Sequence, residues 1–336
     1  MNIWQKYTTD EKIVMLQKTA EEESINEQAV EKDWWVSMIL YALSKTSCGK
    51  FLQFKGGTSL SKAWKLIERF SEDIDLSINR SFFTKNYKGM PEDTAQQRTA
   101  IRRETFHYVK EILIGDIDKE LKNIGVKDYD IQFLSTNSSA IVTAFQINYK
   151  SILDTFIEGL MPNIKVEISS MSLNEPYEEK KISTLIHNFY PEIDTETQCL
   201  FKTVLPERTF LEKIFLLNEE QQKDKPRIDR MSRHLYDLEK MMDTSFAKTA
   251  LKNTELYATI ANHRKTFNNI AGIDYSKNLP SVIDIYPSEK YLDEWERDYR
   301  QLQAGFIYGK SLSFNNLLDR IKELTERIRK IVINSQ

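Results

Sequence analysis

Apolar residues at helical spacing open the chain. Between about Asp10 and Ser44, Val30, Trp34, Ile39 and Leu40 are among the apolar positions, with Glu31, Lys32 and Asp33 beside them, and the pattern predicts helices. Phe51, Leu52 and Phe54 lead as a short apolar strand into Gly56 and Gly57, and Thr58 and Ser59 stand where helix caps are wanted. Next, Leu60, Ala63, Trp64 and Ile67 repeat at the interval of one helix face, while Lys62, Lys65, Glu68 and Arg69 take the other. The period then changes to two. Asp73 and Asp75 alternate with Ile74 and Leu76, so a strand is expected with both carboxylates on one face.

A polar stretch from Arg80 to Asp93, broken by Gly89 and Pro91, reads as a loop. A long helix follows from Thr94 to Asn123, divided at Gly115, and then strands near Ile131 to Leu134 and Ile141 to Tyr149. In Asn163 to Ser169, Ile164, Val166 and Ile168 take one face of a strand and Lys165, Glu167 and Ser169 the other. Met171 to Pro206 reads as an irregular excursion with short strand pieces, including Ile182 to Leu185. Beyond it the pattern is helical. Phe210, Ile214 and Leu217 form an apolar stripe with Lys213 off it. A helix from about Asp229 to Met242 turns Leu235, Leu238 and Met242 to a core and Arg230, His234 and Asp237 elsewhere. From Ala250 three more helices are expected, broken around Asn278, Pro280 and Pro287 and ending in a charged helix from Phe314 to Ile333.

The expected class is therefore α+β. Residues 1–205 form a mixed sheet flanked by helices, including the N-terminal ones, and residues 206–336 a mainly helical part that contributes to the active-site cleft. The 336 residues suffice for a substantial core, and 40% hydrophobic with 29% charged is the balance of a soluble globular protein. Cys48 and Cys199 have no close spacing, which argues against a disulfide framework or a zinc site. The N-terminus lacks a signal-peptide core and no run approaches membrane-spanning length, so the expected address is the cytoplasm, with no membrane partner. A net charge of −3 excludes indiscriminate coating of nucleic acid. Any RNA contact is local, with candidate patches at Arg98, Arg102 and Arg103, at Lys223, Lys225, Arg227, Arg230 and Arg233, and at Arg327, Arg329 and Lys330.

Candidate chemistry concentrates between Phe54 and Asn79. Residues without a Cβ let backbone N–H groups approach a phosphate, and a helix that starts beside them favours an anion. Two carboxylates on one strand face can share divalent cations. Two other Asp-x-Asp pairs, Asp116 with Asp118 and Asp128 with Asp130, read as solvated acids. What is specific to the central stretch is its order: strand, Gly-Gly-Thr, helix, then Asp-x-Asp within an apolar strand. Glu167 either presents a third carboxylate or is an exposed acid beside Lys165. Asp237 can pair with His234 at i, i+3.

Phe54 to Thr58, Arg69-Phe70-Ser71-Glu72-Asp73-Ile74-Asp75, Glu31-Lys32-Asp33-Trp34, Arg208-Thr209-Phe210 with Glu212-Lys213, and Arg233-His234-Leu235-Tyr236-Asp237 together resemble the nucleotidyltransferase superfamily. More narrowly, they resemble the bacterial abortive-infection toxins of the AbiEii type, close to the MenT toxins of type IV toxin–antitoxin systems. The blocks run from about residue 30 to about 240.

The resemblance implies a polymerase-β-like core and an enzyme that transfers a nucleotide from a nucleoside triphosphate. It implies phosphates over Gly56, Gly57 and Thr58, Mg²⁺ (or Mn²⁺) at Asp73 and Asp75, and Lys213 on the triphosphate. Glu167 or Asp237 supplies the third carboxylate. Glu31 to Asp33 brace the nucleotide domain. Ser71 is either a site of silencing phosphorylation or a hydrogen-bonding residue at the start of the strand. The implied acceptor is RNA, with the 3′ end of tRNA a candidate, in the setting of phage defence, and the implied partner a winged-helix antitoxin. A kinase-like phosphotransferase, a small-molecule nucleotidyltransferase and an inactive interaction protein on the same scaffold stand as alternatives.

Overall fold

The computed structural model describes residues 3–71, 73–83, 94–154 and 160–332. The chain divides into two compact units, Met1–Ala63 with Phe70–Val204, and Trp64–Arg69 with Leu205–Gln336. Short Trp64–Arg69 thus belongs with the C-terminal residues.

In the first unit, α1 (Thr9–Glu23) and α2 (Glu27–Lys45) pack on each other. Thr8 caps α1 by accepting from Glu11 N–H, the Glu11 carboxylate accepting from Thr8 N–H in return, and Asn26 caps α2. The described strands are β1 (Leu52–Lys55), β2 (Asp73–Ile78), β3 (Tyr129–Phe133), β4 (Thr143–Tyr149), β5 (Asn163–Ser169), β6 (Tyr177–Ile182) and β7 (Cys199–Val204). They form one mixed sheet in the order β3-β4-β5-β2-β1-β7-β6. β2 is antiparallel to β1 and parallel to β5, and β1 is parallel to β7. Helix α2 lies on β5 and β7, and its Trp35 stacks on Tyr149 of β4 with ring centroids 4.8 Å apart.

Four elements depart from the sequence pattern. The helix after β1, α3 (Gly56–Lys62), starts at the glycines rather than at Leu60, with Lys55 as its N-cap, and ends before Ala63. Lys65 takes the left-handed conformation at φ 55°, which no helix continues. Leu60 is buried in the first unit, whereas Trp64 packs on Phe246 of the second, ring centroids 5.5 Å apart. The apparent single stripe therefore joins two burial environments. The helix expected over Thr94 to Asn123 is α4 (Ala95–Tyr108) and α5 (Ile114–Asn123), joined by a π-helical turn at Val109–Leu113 rather than broken at Gly115. The stretch taken as irregular contains β6, a short helix α6 (Ile186–Phe189) and β7; β7 buries Phe201 and Val204 beside β1. Of the expected loop, Arg80–Phe82 is a 3₁₀ turn, while Gly89 and Pro91 lie outside the described residues, as do Glu72 and the expected helix end at Ile333.

The second unit is helical: α7 (Pro206–Gln221), α8 (Ser232–Met241), α9 (Ser245–Lys252), α10 (Thr254–His263), α11 (Leu292–Gly305) and α12 (Phe314–Arg329). α7 packs on α8, α9 and α10, and α8 also on α11 and α12. The side chain of Asp298 accepts from the backbone N–H groups of Arg230 and Ser232 at 2.6 and 2.8 Å, which caps the start of α8. Trp64–Arg69 is tied in by Glu68, whose carbonyl accepts from Tyr308 N–H at 3.1 Å, and by a β-bridge between Arg69 and Ile307. No described helix is long and apolar enough to cross a membrane.

Candidate active site

Period-two burial along β2 buries Ile74 and Leu76 and leaves Asp73 and Asp75 half-buried on the other face. Register then fixes their neighbours. Lys55, the last residue of β1, pairs with Asp75, so the bend into Gly56 lies at the level of that carboxylate. A Cβ placed on Gly56 would fall 2.0 Å from Asp75 Oδ2 and 2.8 Å from its Cγ, and Gly56 itself has φ 77°. Glycine is thus required twice at this position, by backbone conformation and by the carboxylate lying against it. Gly56→Ala should lower stability by about 1–2 kcal/mol for the left-handed backbone alone and push Asp75 aside. Transfer activity should fall with it; a variant as active as wild type would contradict this geometry.

Thr58 is buried, and its hydroxyl donates to the backbone carbonyl of Asp73, tying α3 to the start of β2. Ser59 donates to the carbonyl of Gly56 at 2.9 Å. Gly57 is buried in the same turn. At the far end of α3, Lys62 pairs with Asp33 of α2, whose other oxygen accepts from Leu185 N–H at 2.8 Å. Glu31 accepts from Ser151 and from Ile152 N–H, and Lys32 donates to the Met161 carbonyl at 3.0 Å. Glu31 to Asp33 are therefore fastenings between α2 and four other stretches, at Lys62, Ser151–Ile152, Met161 and Leu185, not a solvated face.

On the other side of β2, Asp73 is in register with Lys165 and Asp75 with Glu167. Parallel partners share a face, at the about 4.8 Å spacing of neighbouring strands. The four side chains Asp73, Asp75, Lys165 and Glu167 thus stand together. Lys165 is ion-paired with Glu167. Burial draws the Lys165 pKa down, but that bond and the charges of Glu167, Asp73 and Asp75 outweigh it and hold the ammonium above its usual value. Among the described residues no group of three or more His, Cys, Asp or Glu is assembled to hold a metal ion. Asp73 and Asp75 nonetheless fit one: they supply hard oxygen donors on one face, and phosphate oxygens of a nucleotide can fill the remaining positions. Ser71 is half-buried, two residues ahead of β2.

Asp237 and Lys213 meet in the second unit. Asp237 is fully buried and accepts from Arg69 Nε at 2.6 Å and from a terminal Arg69 nitrogen at 2.7 Å, while Lys213 Nζ lies 2.9 Å from its Oδ2. Both carboxylate oxygens are thus taken by cations, rather than by His234 one turn away. Burial raises the Asp237 pKa, yet the adjacent Arg69 and Lys213 charges win and hold it below the ordinary carboxylate value. Lys213 is buried as well, off the Phe210–Ile214–Leu217 stripe but not solvated. Sequence reasoning placed Arg69 only within a motif and on a polar helix face, and missed it as the fork that clamps Asp237. The available signal was a guanidinium between apolar Ile67 and Phe70, four residues ahead of Asp73. Of the basic patches, Lys223 pairs with Glu220 and Arg327 with Asp243 and Glu323.

Residues 38–320 match the family model described as nucleotidyl transferase AbiEii toxin, type IV toxin–antitoxin system. Among solved structures, the chain is similar to MenT4, a nucleotidyltransferase toxin from Mycobacterium tuberculosis H37Rv. That likeness has a TM-score of 0.55 at 16% identity and covers 98% of this chain and 91% of that one. A search of curated proteins found no match.

Proposed function

From the premise that this chain belongs to the family of AbiEii nucleotidyltransferase toxins of type IV toxin–antitoxin systems, we propose that it transfers a nucleotide from a nucleoside triphosphate to RNA. The favoured acceptor is the 3′ end of tRNA, and the consequence is arrested translation in the cytoplasm. The observation that carries this is the Asp75 carboxylate lying against Gly56 with Asp73 on the same face.

Asp73 and Asp75 would hold Mg²⁺, or Mn²⁺ in its stead. Bound there, such a cation would neutralise triphosphate charge and would make an incoming hydroxyl a better nucleophile. The chain's own residues do the rest. Gly56 and Gly57 let the backbone come close to phosphate oxygens, and Thr58 fixes the start of β2 so that the carboxylates hold their register. Glu167 exchanges Lys165 for the acceptor hydroxyl and takes its proton as that oxygen bonds to the α-phosphate and pyrophosphate leaves. Lys213 donates to a triphosphate oxygen as a point charge. Asp237 acts through Lys213 and Arg69. A phosphate on Ser71 would set a dianion two residues from Asp73 and repel the triphosphate. The type IV family implies an antitoxin partner; we take it to be of the winged-helix kind.

The test is incubation with total RNA, Mg²⁺ and each nucleoside triphosphate in turn, labelled at the α- or the γ-phosphate, followed by sizing of the product. The expected result is α-label in RNA of tRNA size. Label arriving only from the γ-position would make the enzyme a kinase-like phosphotransferase, and α-label on a small molecule alone would remove RNA as acceptor. No labelling and no Mg²⁺-dependent nucleotide binding would leave an interaction protein. Glu167→Gln should lower transfer by about 10²-fold, the contribution of a general base, with an unchanged melt because its partner Lys165 is only partly buried. Full activity would remove Glu167 from the site.

A further inference from the structure

Helix α8 places His234 three residues before Asp237, and the imidazole reaches Lys213 of α7: Lys213 Nζ and His234 Nδ1 are 3.3 Å apart. An ammonium has only donors, so Nδ1 accepts and the ring proton sits on Nε2. His234 is more than nine-tenths buried, and its Nε2 has no hydrogen-bond partner among the described residues. The charges around it are one-sided. Besides Lys213, the cations Arg233, Arg69 and Arg227 act on the ring, and the acid of the cluster, Asp237, is taken by Arg69 and Lys213. Burial first and these cations next drive the His234 pKa well below its usual value, so the ring stays neutral and remains an acceptor at Nδ1.

From this arrangement we infer that His234 is a positioning residue for nucleotide binding: it holds one N–H of the Lys213 ammonium while Asp237 holds another, which aims the third at a triphosphate oxygen. The inference rests on the reading of Lys213 as the triphosphate contact. Lysine on a four-carbon stem carries many rotamers, and a single partner does not fix the direction of its remaining donors. Two acceptors at 2.9 and 3.3 Å do. A protonated or absent imidazole would leave Lys213 to swing about its one bond to Asp237.

Side-chain amides separate this role from general packing. Asn can place its oxygen near the Nδ1 position, whereas Gln extends to the Nε2 position and leaves Nδ1 unreplaced. Equilibrium dialysis with labelled ATP, CTP, GTP and UTP in Mg²⁺ measures the dissociation constant for the nucleotide that wild type binds, in variants whose melts show them folded. His234→Asn should bind within about twofold of wild type and His234→Gln about tenfold more weakly, the effect of one hydrogen bond to a charged group. In a Lys213→Ala background, His234→Gln should add nothing. His234→Gln binding like wild type, His234→Asn binding as weakly as His234→Gln, or undiminished additivity with Lys213→Ala would each overturn the inference. If Lys213→Ala alone binds like wild type, the triphosphate role of Lys213 fails and the inference with it. Weakened binding in Lys213→Ala with unaltered binding in both His234 variants sinks the inference alone.

Discussion

Asp73→Asn and Asp75→Asn are each expected to cost about 10²–10³-fold or more in nucleotide transfer, the several kcal/mol of charge stabilisation that a bound cation supplies. Neither should lower the thermal melt appreciably. Both side chains are half-buried on one face of β2, two like charges two residues apart, with Glu167 as a third acid across from Asp75. Neutralising one relieves repulsion among the three acids and gives up an attraction to Lys165, which is small because that ammonium is partly exposed, and Asn keeps the shape. Activity and stability are therefore expected to separate at these positions. A transfer assay beside a melting curve checks it, and either variant remaining active would remove that aspartate from cation binding.

Asp237→Ala should behave in the opposite way and lose both. Its carboxylate is fully buried between Arg69 and Lys213, so its removal leaves two cations in the interior without their counter-charge. Breaking such a group costs about 3–5 kcal/mol, a fall in melting temperature on the order of 10 °C. Replacing the whole set by apolar residues of similar size, Arg69→Met with Lys213→Met and Asp237→Leu, should recover much of the melt but none of the activity. A melt unchanged in Asp237→Ala would contradict the buried clamp.

The legible parts of the fold were those where one face meets one environment. β2 alternates from Asp73 to Leu76 and β5 from Asn163 to Ile168 because each has a buried and a half-buried side there, and both carry acids on the latter. β7 escaped because Leu200 is exposed in a strand otherwise read as broken, and its burial depends on β1, far away in sequence. Leu60 to Ile67 misled for a related reason: apolar spacing reports burial, not what does the burying, and here the chain passes from one unit to the other at Ala63. At the candidate site, Gly56, Asp73 and Asp75 could be read together because strand period and turn chemistry are local. Arg69 with Asp237, and Lys213 with His234, are pairings 168 and 21 residues apart, which no local pattern encodes.

Calorimetric titration of nucleoside triphosphates with and without Mg²⁺, into wild type and into Asp73→Asn/Asp75→Asn, bears most directly on the carboxylate pair beside Gly56. Mg²⁺ should strengthen binding to wild type and leave binding to the double variant unaltered. The same strengthening in both proteins would contradict the assignment of the cation to Asp73 and Asp75.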